Sequence, residues 1–310
     1  MSATRPIIVG SAEDEHVKAV TEALGCLGSS PVLVDCPTLE SQSYSVGTEQ
    51  VVIGDTEISL SEGTGWIRRL TPPNWRPDAK AGSREAAVRS SFVRLLISLI
   101  RLNKNRSWIS TLEAQLAADD KIAMAKNVRS KGVPVPTTVS VSDSGSIPES
   151  FGSNLLVKPH GPGHFVGEDF RDFVVHAKKS TRDEIEHWPL QGAPFLVQRF
   201  LEADEHFRVV TVGSKTWVAS LPAEGLPADW RESAEAHGSF RLVHHSEIAS
   251  RASLVAGTLQ LGFSSQDWIK EGSEFWLVDV NPAGQWLFLP DPIPIEVATE
   301  LAKTLAGEAQ

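Results

Sequence analysis

Cysteine is scarce in this chain. Only Cys26 and Cys36 occur among 310 residues, and they form no CxxC pair or other metal-ligand spacing. We therefore expect two free thiols, buried or partly buried, in a reducing compartment. The first ten residues lack the basic start and long apolar stretch of a signal peptide, and no apolar run reaches the ~18 residues of a membrane span. These absences predict a cytoplasmic protein without a membrane segment.

Positive charge is also in deficit, because 29 Lys and Arg stand against 39 Asp and Glu, which gives a net charge of −10. Duplex binding requires many phosphates to be neutralised by Lys and Arg, so extended contact with nucleic acid is not expected. Two common nucleotide motifs are missing as well: the sequence contains no GxxxxGK[ST], and no GxGxxG opens a helix. Apolar residues make up 41% of the chain, which is enough for a sizeable core.

The spacing of apolar residues predicts an α/β (α+β) protein that begins with a βαβ unit. Residues 6–10 and 31–35 are short β-branched runs, and residues 13–27 between them have helical periodicity. Residues 41–63 predict a polar hairpin, and residues 86–102 predict a strongly amphipathic helix.

Further along, Ser110 with Glu113 predicts a capping box that opens a short helix. A second helix is predicted from Asp119 or Asp120 to Lys131, and β-rich runs then follow from Asn154 to the C-terminal region. We place boundaries near residues 115 and 195. They divide the chain into an N-terminal α/β domain of residues 1–115, a central subdomain of residues 116–195 and a C-terminal subdomain of residues 196–310.

Two acids and an amide in the C-terminal part form a candidate Mg²⁺ site. Asp279 and Asn281 are two residues apart on a predicted strand, so both side chains project from one face. Asp267 lies twelve residues earlier (279 − 267 = 12), and a turn at Gly272 allows the returning strand to bring the three together. Carboxylate and amide oxygens suit Mg²⁺, which is commonly shared with nucleotide phosphates. Taken alone, this pattern is more typical of a solvated strand edge.

Two lysines precede the acids. Lys121 opens a predicted helix, and Lys158 ends an apolar strand just before a glycine-rich stretch. In that stretch Gly161, Gly163 and Gly167 would let backbone N–H groups approach a phosphate that Lys158 also contacts. A lysine at a strand end is usually solvated, and a glycine-rich loop alone is usually only a loop.

The next apolar strand predicts a nucleotide contact. Its backbone could hydrogen-bond an adenine edge, and one of the acids beyond it, among them Glu202, could hold ribose hydroxyls. Arg208 and Arg231 follow, and arginine forks stabilise transferring phosphoryl groups. The alternative is a core strand followed by a charged turn. The residues assigned to nucleotide binding in this segment are Gln198, Arg199, Phe200, Leu201, Asp204 and Glu205.

Taken in order, these features resemble the ATP-grasp superfamily and, within it, the graspetide synthetases, which are microviridin-type macrocyclases that modify ribosomally made peptides. The most specific match is an acid followed by NP, a small residue and GQW; ribosomal-protein glutamate ligases share the acid-x-Asn and the twelve-residue interval but not GQW. The resemblance covers nearly the whole chain. The segments that carry it are HVKAV (16–20), VLVDC (32–36), GWIRR (65–69), DDKIAMAKNVRSKGVPVPTT (119–138), LLVKP (155–159), LVQRFL (196–201), FRVVTVG (207–213), ADWR (228–231) and DVNPAGQWLFLP (279–290).

The resemblance implies an ATP-grasp fold, in which a pre-ATP-grasp domain precedes two domains that enclose ATP, with ATP and Mg²⁺ as cofactors. Lys121 and Lys158 would hold the α- and β-phosphates. Arg208 and Arg231 would stabilise the γ-phosphate and an acyl phosphate formed on a substrate Asp or Glu. Attack by a Ser or Thr hydroxyl, or by a Lys amine, would then close an ester or amide crosslink. No histidine stands out as a general base.

The resemblance also implies a partner, a precursor peptide whose leader segment docks on residues 169–188. Arg171, Lys178, Lys179 and Arg182 could meet an acidic peptide there. An ordinary surface helix is the alternative interpretation of this segment. The resemblance further implies a homodimer.

Three residues depart from the family pattern. Asp279 stands where Glu is usual, Arg199 where an acid is common, and His206 where Asp is common. Two other functions stay open, the first because it would use the same ATP half with a different acceptor, and the second because of these departures. One is a stand-alone ATP-grasp ligase that joins an amino acid to a small molecule or protein tail, and the other is a nucleotide-binding regulator that has lost turnover.

Overall fold

The computed structural model describes residues 5–60, 62–72, 75–76, 79–103, 105–160, 164–166, 172–174, 177–188 and 194–308, and for 164–166 and 172–174 the backbone alone. The predicted phosphate-loop glycines Gly161, Gly163 and Gly167 lie outside the described residues, as does Arg171 of the predicted docking region.

A parallel sheet with flanking helices forms the N-terminal part of the chain. Its elements are β1 (Ile7–Val9), α1 (Glu15–Cys26), β2 (Val32–Val34), α2 (Cys36–Ser41), β3 (Tyr44–Val46), β4 (Val51–Ile53), β5 (Thr56–Ile58), β6 (Thr64–Ile67), α3 (Arg84–Leu102) and β7 (Ser107–Trp108). The strand order is β2-β1-β6-β7, with every pair parallel, which confirms the predicted βαβ unit. Strands β3, β4 and β5 form a separate antiparallel sheet within the segment predicted as a hairpin.

Two short helices, α4 (Leu112–Asp119) and α5 (Lys121–Arg129), connect this part to the central sheet. The predicted capping box of Ser110 with Glu113 is wrong. Thr111 caps α4 by accepting the Ala114 N–H at 3.1 Å. The Ser110 hydroxyl instead accepts N–H groups of a distant segment, Gly262 at 3.1 Å and Phe263 at 3.3 Å. The Ser110 hydroxyl, which local sequence predicts as a helix cap, therefore makes a tertiary contact instead.

The central sheet is antiparallel and has the order β12-β9-β13-β8. Strand β13 begins at the second predicted boundary, near residue 195, and pairs with both β8 and β9, so the central sheet extends to Arg199. The elements of this region are β8 (Thr138–Val141), β9 (Leu155–Pro159), β10 (His164–Val166), β11 (Asp172–Val174), β12 (Lys178–Ser180), α6 (Arg182–Glu186) and β13 (Phe195–Arg199).

A five-stranded antiparallel sheet carries most of the predicted site. Its order is β16-β15-β14-β17-β18, in the sequence of elements β14 (Glu205–Val212), β15 (Lys215–Pro222), α7 (Ala234–His237), β16 (Arg241–Val243), α8 (Ser246–Thr258), β17 (Phe263–Glu271), β18 (Glu274–Asn281) and α9 (Ile293–Ala306). Helix α8 packs on β15 and β14, and α9 packs on α1, which joins the C-terminal helix to the N-terminal part. One buried apolar cluster accordingly contains residues from both ends of the chain, such as Val20 and Leu301.

Both cysteines are free, with Cys36 buried and Cys26 exposed, so the expectation that both are buried or partly buried is wrong for Cys26. In the part of the chain that the structure describes, no helix is long and apolar enough to cross a membrane.

Candidate functional site

Three charged residues form a row across neighbouring strands of the five-stranded sheet. Arg208 on β14 lies opposite Asp267 on β17, and Asp267 lies opposite Asp279 on β18. The turn between β17 and β18 contains Gly272 with φ +61°, a conformation that glycine adopts without strain. Asn281, two residues beyond Asp279, completes the predicted set at the end of β18. The predicted strand, turn and returning strand are therefore present.

Asp267 is a buried carboxylate held by two arginines. Its Oδ1 accepts from Nη1 of Arg208 at 2.7 Å, and its Oδ2 accepts from Nη2 of Arg231. Burial raises the pKa of Asp267, but the charges and hydrogen bonds of Arg208 and Arg231 outweigh it and lower that pKa to about 2. Asp229 accepts from Nη1 of Arg231 at 3.1 Å and so also orients that guanidinium. Asp267 is thus ionised throughout the physiological pH range.

Lys121 contacts the second acid. Its Nζ donates to Asp279 Oδ1 at 2.5 Å and to the Val280 carbonyl at 3.2 Å. Burial lowers the pKa of Lys121, but the Asp279 carboxylate outweighs it, and the net effect raises that pKa. Lys121 is the first residue of α5, where the helix dipole disfavours a cation. A lysine that breaks this local preference and faces an acid is typical of a functional position.

Lys158 on β9 reaches the same place from the central sheet, and its Nζ donates to the Val278 carbonyl at 3.2 Å. Burial lowers the pKa of Lys158; the charge of Asp279 opposes this effect, whereas Lys121 and Arg231 reinforce it, so the net shift is downward. Burying a second ammonium group beside Lys121 costs free energy, and a bound phosphate would lower that cost. The position of Lys158 is therefore suited to a charge-assisted hydrogen bond with a phosphate.

A cavity of about 630 Å³ separates the central and C-terminal sheets. Small-molecule sites span roughly 300–1,000 Å³ and combine apolar walls with a few polar groups. Here the apolar walls include Met124, Leu156 and Ile269, and the charged groups include Lys121, Lys158, Arg231, Asp267 and Asp279, with the amide of Asn281 beside them.

The donor chemistry fits a nucleotide and Mg²⁺. Oε1 of Gln198 is buried in the wall of this cavity without a hydrogen-bond partner, although its Nε2 donates to Thr138 at 2.6 Å. A ligand amino group would satisfy that oxygen. Among the described residues no cluster of three or more His, Cys, Asp or Glu side chains could hold a metal. Two carboxylates and one amide suit Mg²⁺, which retains waters and shares phosphate ligands.

Of the six residues predicted to contact the nucleotide base and ribose, four line the cavity and two do not. Gln198, Arg199, Phe200 and Leu201 line the cavity. The Arg199 guanidinium, however, pairs with Glu271 at 2.8 Å.

Asp204 and Glu205 are not among the cavity-lining residues. The Asp204 carboxylate accepts the Gly272 N–H at 2.7 Å and so stabilises the β17–β18 turn. Glu202 lines the cavity and accepts from Lys179 at 2.9 Å. Of the three acids in this segment, Glu202 is the one that lines the cavity.

Arg208 is likewise placed behind the cavity rather than in its wall. It is 5% exposed, and Nη2 donates to the Gln285 carbonyl at 3.1 Å while Nη1 holds Asp267. Gln285 belongs to the GQW sequence, in which Gly284 is required by close packing. A Cβ at Gly284 would lie 2.4 Å from Cβ of Ser265. Arg208 therefore connects the acid Asp267 to the GQW segment.

The three basic residues of the predicted docking region that the structure describes, Lys178, Lys179 and Arg182, already have partners. Arg182 donates to the carbonyls of Ile147 at 2.9 Å and Pro148 at 2.6 Å. Lys178 lies over the Trp188 ring, and Lys179 lies over the Phe200 ring. Arg182 thus stabilises its own region, whereas the amines of Lys178 and Lys179 stay close to the surface.

Comparisons with known proteins identify the architecture. No family model and no curated protein sequence matches the chain. Solved structures do match over nearly its full length. The macrocyclase MdnC bound with precursor peptide MdnA, from Microcystis aeruginosa, has a TM-score of 0.78 at 16% identity, covering 99% of this chain and 100% of that chain. The chain has the ATP-grasp fold.

Two ATP-grasp ligases show the same likeness. A RiPP-associated ligase of Chryseobacterium gregarium, in complex with ADP and a leader and core peptide, gives a TM-score of 0.82 at 15% identity, covering 99% of this chain and 98% of that chain. PsnB, complexed with a variant of a minimal precursor, Mg and ADP, gives 0.76 at 16% identity, covering 99% of each chain. The predicted ATP-grasp resemblance is therefore confirmed at the level of the fold.

Four residues of the site region had no role assigned to them from the sequence. Three of them, Asp229, His16 and Arg68, lie in segments that carry the family resemblance. The contacts of His16 and Arg68 are with groups that only the tertiary structure brings near. His206, noted as a departure, lies in the cavity wall, and burial lowers its pKa. Its place two residues before Arg208 on β14, on the same face, is the signal that could have located it.

Proposed function

We propose that the chain is an ATP-dependent ligase that forms side-chain ester or amide crosslinks in a ribosomally synthesised precursor peptide. The observation that carries the proposal is the cavity between two sheets, where Lys121, Lys158 and Arg231 converge on Asp267 and Asp279. The similar solved structures support the peptide substrate, since they are a macrocyclase and two ATP-grasp ligases bound to precursor or to leader and core peptides.

ATP would supply the phosphoryl group that activates a substrate carboxylate as an acyl phosphate, and Mg²⁺ would neutralise charge during that transfer. Asp267, Asp279 and Asn281 would hold the metal. Lys121 and Lys158 would bind the phosphates. These residues fit because the cations already lie within hydrogen-bond reach of the acids and backbone carbonyls of β18.

The two arginines have different parts in this proposal. Arg231 lines the cavity and would face the transferred phosphoryl group and the activated carboxylate. Arg208 holds Asp267 and the Gln285 carbonyl, so it would act by fixing the acid and the adjacent loop. An acyl phosphate is already activated, so attack by the hydroxyl or amine would break its bond to phosphate and release inorganic phosphate, with little further help needed from a base.

Base and ribose would be held on the other side of the cavity. Residues 198–201 supply the wall, with the unpartnered Gln198 oxygen as an acceptor for an amino group. Of the three acids that the sequence offers for the ribose, Glu202 would take that role, because it lines the cavity and Asp204 and Glu205 are not among the lining residues.

A leader segment of the precursor would dock on residues 169–188, where the exposed Lys178 and Lys179 would exchange their present contacts with aromatic rings and Glu202 for contacts with an acidic peptide. The proposal includes a cytoplasmic location, where ATP and nascent peptides are present, and a homodimer by resemblance. It involves neither nucleic acid nor a membrane.

The test combines the purified chain, ATP, Mg²⁺ and the peptide from a neighbouring short reading frame rich in Thr, Ser, Asp and Glu. ADP release together with a peptide mass lower by one water per crosslink is the expected result. A mass increased by an amino acid would replace the proposal with a stand-alone ligase. Nucleotide binding without ADP release or mass change would replace it with a regulator.

A further inference from the structure

A buried polar cluster lies where the N-terminal part meets the loop that follows β18. Arg68, directly after β6, is 1% exposed, and His16 on α1 is 8% exposed. Both contact the GQW segment, whose Trp286 is fully buried.

Arg68 binds the backbone of that loop. Its Nη1 donates to the Ala283 carbonyl and, at 3.4 Å, to the Gly284 carbonyl. Its Nε donates to Asp14 at 3.2 Å, so the charge is paired. Desolvation lowers the pKa of Arg68 to about 10, which leaves it charged at neutral pH.

His16 binds the next part of the same loop. Its Nε2 accepts the Trp286 N–H at 3.3 Å, and its Nδ1 donates to Asp14 at 3.0 Å. The imidazole also makes an edge contact with the Trp286 ring, at 4.4 Å between centroids. Desolvation lowers the pKa of His16, which agrees with a neutral ring that donates from one nitrogen and accepts at the other.

The same loop, residues 283–286, also contacts side chains of the predicted metal site. The Ala283 N–H donates to Oδ1 of Asn281 at 2.9 Å, and the Gln285 carbonyl accepts from Arg208, which holds Asp267. Residues 283–286 therefore lie between the N-terminal cluster and two metal-site side chains.

We propose that Arg68 and His16 are positioning residues that fix the 283–286 backbone and thereby orient Asn281 and Asp267 for metal binding. The inference rests on the proposed function for the metal itself. Two arguments favour positioning over simple packing. A buried ion pair gives little net stability compared with apolar side chains of similar size. In addition, Arg68 and His16 both contact backbone groups of one short loop. Removal of a side chain that orients metal ligands typically weakens metal affinity about 10–100-fold.

The experiment measures Mn²⁺ binding by electron paramagnetic resonance with a non-hydrolysable ATP analogue present, and hydrogen exchange of residues 281–286. His16→Asn keeps a polar group near Nδ1 but loses the acceptor for the Trp286 N–H. His16→Gln reaches the Nε2 position and can keep that acceptor. We expect about 10-fold weaker Mn²⁺ binding and faster exchange for His16→Asn, with His16→Gln close to wild type.

Arg68→Met removes both carbonyl contacts and should weaken Mn²⁺ binding at least as much. Its matched control is Arg106→Met. Arg106 is 3% exposed and donates to the Thr64 carbonyl at 2.9 Å and the Ser59 carbonyl at 3.0 Å, within the N-terminal part. Both variants should lower the thermal midpoint, but only Arg68→Met should change Mn²⁺ affinity.

Unchanged Mn²⁺ affinity and exchange in both Arg68→Met and His16→Asn would overturn the inference while the proposed function stands. Equal losses in Arg106→Met would also overturn it, because they would show a general effect of destabilisation. If wild type binds no Mn²⁺ with the nucleotide, the proposed function fails, and hydrogen exchange of residues 281–286 still decides whether the cluster fixes the loop.

Discussion

Asp267 and Asp279 lie opposite each other in the pairing of β17 with β18, and each carboxylate is already contacted by a basic side chain. Asp267 accepts from Arg208 and Arg231, and Asp279 accepts from Lys121. Adjacent carboxylates repel each other unless cations compensate them, and these side chains supply that compensation. A metal ion must therefore compete with the same cations, whereas nucleotide phosphates offer them alternative partners.

The first prediction is that the nucleotide promotes metal binding. Phosphates that attract Lys121 and Arg231 would release carboxylate oxygens for the ion. Mn²⁺ affinity should rise by about 5–150-fold, the usual range for coupled sites, when a non-hydrolysable ATP analogue is present. Titration of free Mn²⁺ by electron paramagnetic resonance measures both affinities. Equal affinity with and without the nucleotide would show that the cations do not compete with the metal.

Asp279 gives the second prediction. Asp279→Ala should reduce ADP formation about 10²–10³-fold, because it removes a group that stabilises transferring charge. The chain should stay folded, since the Asp279 side chain is 29% exposed and not part of the core. Initial rates of ADP release and thermal melting check the two statements.

The matched variant is Asp279→Glu, which keeps the carboxylate, restores the acid usual in the resembling family and should remain active. Full activity in Asp279→Ala would contradict the metal assignment.

The parts of the site that depend on local periodicity could be predicted from the sequence. The two-residue repeat of a strand places Asp279 and Asn281 on one face, and the turn at Gly272 returns β18 beside Asp267. The functions of Asp204, Arg208 and Ser110 could not be read in this way. Each contacts a group remote in sequence, respectively the Gly272 N–H, the Gln285 carbonyl and the Gly262 N–H. Local pattern identifies a polar side chain, and the tertiary approach of another segment decides its partner.

The third prediction distinguishes the functions of Glu202 and Asp204, two acids in the segment after β13. Glu202→Gln should raise the KM for ATP several-fold, about the difference between a hydrogen bond to a charged group and one to a neutral group, because Glu202 lines the cavity and Gln keeps an acceptor without the charge. Asp204→Asn should leave that KM near wild type and lower the thermal midpoint, because Asp204 accepts the Gly272 N–H. Steady-state kinetics and thermal melting of both variants distinguish them. A raised KM in Asp204→Asn alone would return the ribose role to Asp204.

The last prediction concerns acid stability. The pKa of Asp267 is about 2, against 3.8 for a solvated aspartate. A depressed pKa contributes stability above the unfolded value, and this stability is lost as the pH falls through the folded value. The difference in unfolding free energy between wild type and Asp267→Asn should therefore narrow between about pH 4 and pH 2.

Urea unfolding followed by tryptophan fluorescence measures this difference at each pH. Asp267→Asn leaves Arg208 and Arg231 without their anion, so the variant should be less stable than wild type at neutral pH. As the pH approaches the folded pKa of Asp267, wild type also loses that charge and the two proteins should converge. A difference that stays constant across the whole range would mean that the Asp267 charge is not the source of the stability.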